Sequence, residues 1–395
     1  MGTKVIRLGG LSLGGGNPVI VQTMANTDTR DVLATLAQVR SVAALGAEIV
    51  RVAVPDMAAA RAVGDIVRES PVPIVADVHF DWRLAVEALR NGAAGVRVNP
   101  GNIGGPGKAV KVAEAAGKAG AALRVGVNMG SLDRNMAEKY GRGPRAMVES
   151  ALLDLRAVTA TGFDNLKVSL KASSVLDTIE AARLFHSMSD IPQHLGVTEA
   201  GDALQGTAKS AVALGILLSE GIGDTIRVSL TGAPEQEVVA AWEILRSLGL
   251  RQRGVEYVSC PTCGRCEIDL AALLEDVKAR LKDITQPMKI AVMGCVVNGP
   301  GEARDADAGI AGGKEGGSLF VRGRRLGSYP FATLAAELEK WARALASESE
   351  GGPKVNVRVE GMGEPMADAH DPHDAHDAHD VIGADDTADG NDWDI

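Results

Sequence analysis

From about residue 19 to 249 the chain alternates two textures. Short β-branched runs (PVIVQTM, EIVRVAVP, VPIVADVHF, GVRVNPGN, LRVGVNMG, NLKVSLKAS, HLGVTEAG and TIRVSLTG) are each followed by an Ala/Leu-rich stretch with apolar residues at helical spacing. The helices include 31–46, 81–92 and 175–188, and many end in glycine, the residue preferred just past a helix C-terminus. Eight strands and eight helices in about 230 residues predict a (β/α)8 TIM barrel, over residues 1–252. A doubly wound open sheet is the alternative, but it rarely needs eight such even units.

The pattern then changes. EYVSCPTCGRCEIDLAALLEDVKARLKDI reads as a strand, a cysteine loop and a helix, and KIAVMGCVVNGPGEARDAD as a strand running into a Gly/Pro-rich loop. SLFVRGRRLGSYP and the amphipathic helix 331–348 complete a smaller α+β domain, 253–350. Residues 351–395 have no apolar period and are rich in Asp, Gly and Ala, a composition that predicts a disordered tail. HDPHDAHDAHD (370–380) sets four histidines three apart, each followed by Asp, which reads as a solvated tract or a weak divalent-metal binder.

In a TIM barrel the functional groups gather at the C-terminal ends of the strands. Arg51, Arg97, Arg124, Lys171 and Arg227 alternate with apolar residues on five different strands. Five cations converging on one mouth would repel one another unless an anion sits among them, and guanidinium forks suit phosphate oxygens. Asn128 and Ser229 belong to the same rim, and a small substrate bearing one or more phosphates is expected. Glu199 is the candidate acid/base, with a structural counter-ion for Lys171 or Arg227 as the alternative. Asp77 and His79 can pair to orient substrate, and a purely structural His79 is equally compatible.

Charge changes the picture only locally. The net charge of −10 resides in 351–395, which carries two basic and twelve acidic residues and leaves a neutral body with 39 of each sign. There is no broad basic field for nucleic acid, and 3% aromatics argue against a base-stacking surface. The first residues lack the apolar core of a signal peptide and no run is long enough to span a bilayer, so a cytoplasmic location is expected.

Reduced cysteines clustered in such a chain point to a metal centre. Cys260-x2-Cys263 is a metal-binding turn, with Cys266 just beyond and Cys295 in the glycine-rich loop. Spacing nominates all four cysteines; it favours iron–sulfur and keeps structural zinc and free thiols open. A radical-SAM spacing is absent.

VQTMANTDT (21–29), VADVHF (75–80), VRVNPGNIG (96–104), RVGVNMGSL (124–132), HLGVTEAG (194–201), GIGDTIRVSLT (221–231), SCPTCGR (259–265) and GCVVNGPGEA (294–303) resemble the 4-hydroxy-3-methylbut-2-enyl diphosphate synthases of the methylerythritol phosphate route, in their short bacterial two-domain form. The resemblance covers about 3–345 and implies a [4Fe–4S] cluster held by Cys260, Cys263, Cys295 and Glu302. Cys266 stands where many members have threonine and is not carried over as a ligand. A carboxylate is a weaker, more exchangeable partner for iron than a thiolate. The implied substrate is 2-C-methyl-D-erythritol 2,4-cyclodiphosphate, reductively opened with loss of water. The implied partners are flavodoxin or ferredoxin as donor and a second copy of the chain. Arg51, Arg97, Arg124, Lys171, Arg227 and Ser229 would hold the diphosphate, with Asn128 assisting and Glu199 and Glu302 in catalysis. The competing reading is a pterin-synthase type barrel with a zinc module.

Overall fold

The computed structural model describes residues 2–351 apart from 267, 296–304 and 314–315. All eight anticipated barrel strands are present: β3 (Ile20–Met24), β4 (Ile49–Ala53), β5 (Ile74–Val78), β6 (Gly95–Val98), β7 (Ala122–Asn128), β8 (Leu166–Lys171), β9 (His194–Leu195) and β10 (Thr225–Ile226). They are parallel in the order β8-β7-β6-β5-β4-β3-β10-β9. A Val168–Gln193 bridge and bonds from Val168 N to Pro192 O (3.0 Å) and Thr198 N to Ala172 O (3.1 Å) draw β8 and β9 together, nearly closing the ring.

Helices follow the strands because the strand-to-helix turns carry cap residues. Asp31, Asp56, Asp81, Ser174 and Asp202 each accept a bond from a backbone N–H in the first turn of their helix. Along the strands the two-residue period sorts the side chains. Val50, Val52, Ala76, Val78, Leu123, Val125 and Val127 join the core shared with the helices. Arg51, Asp77 and Arg124 lie on the opposite face of the same strands, toward the barrel interior.

An antiparallel hairpin, β1 (Ile6–Leu8) and β2 (Leu11–Leu13), precedes the barrel and was not anticipated. Its strands are too short to show a period, and the turn rests on Gly9 and Gly10, both at positive φ. Ile6, Leu8 and Leu13 pack with Ile20, Ile49, Val75 and Ala122, apolar residues at the start of the barrel strands, and close that end.

The second domain is a five-stranded sheet. β11 (Val255–Ser259), β12 (Met288–Met293) and β13 (Ala308–Gly313) are parallel, and β14 (Gly316–Val321) and β15 (Arg324–Tyr329) continue antiparallel. Helices Leu270–Leu281 and Phe331–Ser349 accompany it, the latter through Leu334, Leu338, Ala342 and Leu345. β13 was not anticipated, because its sequence, AGIAGG, is too glycine-rich to show a strand period. Among the described residues no helix is long and apolar enough to cross a membrane.

Candidate active site and cluster-binding residues

The register of the parallel ladder sets the polar layer. Asp77 pairs with Arg97, Arg97 with Arg124, Arg124 with Lys167, and Asn128 with Lys171 across β5 to β8. Arg51, Arg97, Arg124 and Lys171 are no more than 9% exposed. Gly126 and Gly196 make this crowding possible. A Cβ at Gly126 would lie 2.7 Å from Arg97 Nε, and one at Gly196 would lie 2.7 Å from Lys171 Nζ and 2.4 Å from Arg227 O.

Two carboxylates answer part of this charge. Asp77 lies 3.5 Å from Arg51 Nε and 3.3 Å from Arg97 Nη1. Burial opposes ionisation of Asp77, but Arg51, His79, Arg97 and Arg124 outweigh it and hold its pKa far below the usual carboxylate range. His79 Nε2 is 3.1 Å from Arg97 Nη1 and 3.3 Å from Asp77 Oδ2. Arg97 can only donate, so Nε2 of His79 accepts from it in the Nδ1–H tautomer and donates to Asp77 when Nε2 carries the hydrogen. Glu237 is the second carboxylate. Arg227 Nη2 and Nε donate to its Oε1 and Oε2 at 2.7 and 3.1 Å. The counter-ion of Arg227 is thus Glu237 and not Glu199.

The remaining charge is unanswered. Among the described residues, Arg124, Lys167 and Lys171 form no ion pair, and Arg97 Nε, Arg124 Nε and Nη1, and Lys167 Nζ are buried without a hydrogen-bond partner. Arg51 directs Nε and Nη2 at Met24 Sδ (3.2 and 2.9 Å), a weak acceptor. Burial pushes the pKa of Lys171 well below its ordinary value, and Arg124, Arg227, Arg51 and Arg97 push the same way. Burial lowers Arg51 to about 10 despite the opposing field of Asp77. A buried cation without a counter-charge is costly, so this arrangement suits an anionic ligand.

Glu199 lies on the loop beyond β9, exposed, with a backbone φ of +53°. Left-handed backbone at a non-glycine residue is strained, and such strain collects at functional positions. Ser229 is half-buried two residues beyond Arg227, and Asn128 is the last residue of β7.

The cysteines sit on the other domain. Cys260 follows β11 and Cys295 lies two residues beyond β12, and these neighbouring strands pair Ser259 with Val292. Cys263 is exposed; Cys260, Cys266 and Cys295 are half-buried. The backbone N–H of Cys266 donates to Cys263 O (2.9 Å), forming a turn. The Cys266 thiol donates to Ile268 O (3.3 Å) and abuts Gly294, where an added Cβ would be 2.5 Å from its sulfur. Glu302 lies outside the described residues, as does the tail from 352 onward. Among the described residues no three potential metal-binding side chains already converge. The donor types nevertheless fit an iron–sulfur cluster, since thiols at the same end of adjacent parallel strands are soft ligands.

Sequence reasoning missed Glu237, whose one readable signal was a carboxylate on the apolar face of helix Pro234–Ser247, beside Val238, Ala241 and Leu245. Gly126 and Gly196 carried none, because their role depends on side chains from other strands.

Known proteins place this geometry in a family. The GcpE TIM-barrel domain model matches residues 3–242 and the GcpE C-terminal domain model matches 256–344. A protein of Lawsonia intracellularis named 4-hydroxy-3-methylbut-2-en-1-yl diphosphate synthase (flavodoxin) is 55% identical over 323 residues, covering 82% of this chain and 90% of its own. Its namesake in Geobacter sulfurreducens is 53% identical over 343 residues, covering 86% and 97%. A dihydropteroate synthase from Stenotrophomonas maltophilia superposes with a TM-score of 0.47 at 15% identity, over 62% of this chain and 97% of its own, too slight a likeness to bear on function. The family models and named relatives support the synthase reading and not the pterin-type alternative. Matched across both domains and at about half identity, the chain belongs to the GcpE family of 4-hydroxy-3-methylbut-2-en-1-yl diphosphate synthases, which are [4Fe–4S] enzymes.

Proposed function

We infer that the chain converts 2-C-methyl-D-erythritol 2,4-cyclodiphosphate to 4-hydroxy-3-methylbut-2-enyl diphosphate, with flavodoxin as electron donor and ferredoxin as the alternative. Two electrons and two protons enter, the ring opens, and one water leaves. The observation that carries the reading is the set of buried cations at the barrel mouth that lack a counter-charge. A cyclic diphosphate supplies that charge.

In this reading Arg124 and Lys171 meet the diphosphate as unneutralised charges. Arg51 and Arg97, steadied by Asp77, and Arg227, steadied by Glu237, orient it. Ser229 and Asn128 add neutral hydrogen bonds at the rim. Glu199, exposed at the mouth, delivers a proton to the departing hydroxyl. Cys260, Cys263, Cys295 and Glu302 would hold the [4Fe–4S] cluster, which supplies electrons one at a time when bound. The barrel (1–252) and the cluster domain (253–350) work across a homodimer, one chain's cluster domain covering the other's mouth.

The test is anaerobic purification, iron and sulfide analysis, and turnover of the cyclodiphosphate with reduced flavodoxin. Iron and sulfide at cluster stoichiometry together with turnover support the reading. Colourless protein with stoichiometric zinc and no turnover overturns it.

A further inference from the structure

Each oxygen of the Glu237 carboxylate receives two donors. Oε1 accepts from Arg227 Nη2 (2.7 Å) and the backbone N–H of Leu230 (3.1 Å), and Oε2 accepts from Arg227 Nε (3.1 Å) and Thr23 Oγ1 (2.8 Å). The side chain is 4% exposed and stands in the first turn of helix Pro234–Ser247, where the helix N-terminus favours a negative charge. It therefore joins three parts of the mouth: β3 through Thr23, the guanidinium beyond β10, and the loop that carries Ser229 immediately before Leu230.

A carboxylate needed only to neutralise Arg227 would not require the other two donors. The two-point fork fixes the guanidinium plane, because Nε and Nη2 are both committed to Glu237 and Nη1 alone is left outside the fork. The bond to Leu230 N–H ties the Ser229 loop to the same carboxylate. Moving Glu237 would displace two of the proposed diphosphate contacts together. Glu237 touches no proposed reacting atom, so its effect must pass through these neighbours.

We propose that Glu237, held by Thr23, is the positioning residue that sets Arg227 and the Ser229 loop for the substrate's diphosphate. The proposal rests on the assignment of Arg227 to substrate binding made above. A fixed fork lowers the ordering cost of binding an anion, and this outweighs the charge Glu237 cancels, since Arg124 and Lys171 leave the mouth cationic without it.

The experiment is a double-mutant cycle on the reconstituted holoenzyme, reading the dissociation constant of the cyclodiphosphate for wild type, Glu237→Gln, Arg227→Gln and the double variant. Glu237→Gln should weaken binding about tenfold when Arg227 is present and change it less than about twofold when Arg227 is Gln. Equal effects in both backgrounds would make Glu237 a general structural or electrostatic element and overturn the proposal. If Glu237→Gln does not fold, Thr23→Val removes one donor and should weaken binding about threefold, again only with Arg227 present. An unchanged constant for Thr23→Val would then count against it. Wild-type holoenzyme that fails to bind the cyclodiphosphate sinks the substrate assignment instead, so the two failures are distinguishable.

Discussion

At the barrel mouth four of the five cations grow from the strands themselves, with Arg227 just beyond β10, whereas at the cysteine end of the second sheet the thiols all lie on the chain beyond the strands. Arg51, Arg97 and Arg124 are ladder residues with paired neighbours on both sides, and Lys171 is paired with Asn128 on one side. Cys260 directly follows β11, Cys263 lies further along the same loop, and Cys295 lies two residues beyond β12. The mouth is thus organised for an anion before one arrives, and the cysteine end is completed by what it binds. Loss of one group should be graded at the mouth and all-or-none at the cysteines.

The sharpest test of that contrast lies at the cysteines. Cys295→Ser should abolish both iron content and turnover, while Cys266→Ser should keep both within about twofold, because its thiol bonds a backbone carbonyl. Iron analysis decides it, and loss of iron in Cys266→Ser would restore a four-thiolate centre. Next in size, Glu199→Gln should lower kcat by about 10²–10⁴ with little change in substrate affinity. Glu199→Gly should lose as much activity yet unfold at equal or up to about 1 kcal/mol higher free energy, since glycine relieves the left-handed backbone. A clear loss of stability in denaturant titration would show that the strain is not felt.

Arg124→Met separates function from stability at the mouth. It should weaken substrate binding by about 10–100-fold. It should also raise the unfolding free energy by about 1–3 kcal/mol, because a buried, unpaired charge gives way to an apolar side chain of similar size. Calorimetry of binding and of unfolding tests both halves, and a destabilised variant would mean that Arg124 is better satisfied than its contacts indicate.

The smallest expected effect is a proton balance. Burial and the surrounding guanidiniums depress the pKa of Lys171, and Lys167 is lowered by burial, Arg124 and Arg51. The unfolded chain keeps the ordinary lysine value near ~10.4, so it binds more protons than the folded chain between the depressed value and that one. Stability should rise with pH through this window, and substrate phosphate should draw a fraction of a proton back onto Lys171. Binding enthalpies identical in buffers of different ionisation enthalpy would refute the uptake.

The parts of the molecule written as local pattern were legible in the sequence. Arg51 and Arg124 stand between valines or leucines in strands, so their inward direction follows from a two-residue period. Asp31 and Asp81 announce helix starts. What escaped reading depends on three-dimensional neighbours. Gly126 is silent until Arg97 reaches across from β6, and Glu237 looks like an ordinary helical carboxylate until Arg227 and Thr23 meet it. The Leu8-Gly9-Gly10-Leu11 turn is too short to announce a strand pair, and β13 hides in glycine. The residues proposed to complete the cluster come from family resemblance alone, because residues on loops obey no period.

The hairpin β1–β2 has a consequence for traffic. Its leucines and isoleucine shut the far end of the barrel, so the chamber is a vessel with one door. Substrate must enter, and water and product must leave, through the opening that any covering domain would occupy. If a partner's cluster domain covers that opening as proposed, each turnover requires the cover to lift at least once, and the frequency of that lifting is a ceiling on the rate that no improvement in the chemistry can raise.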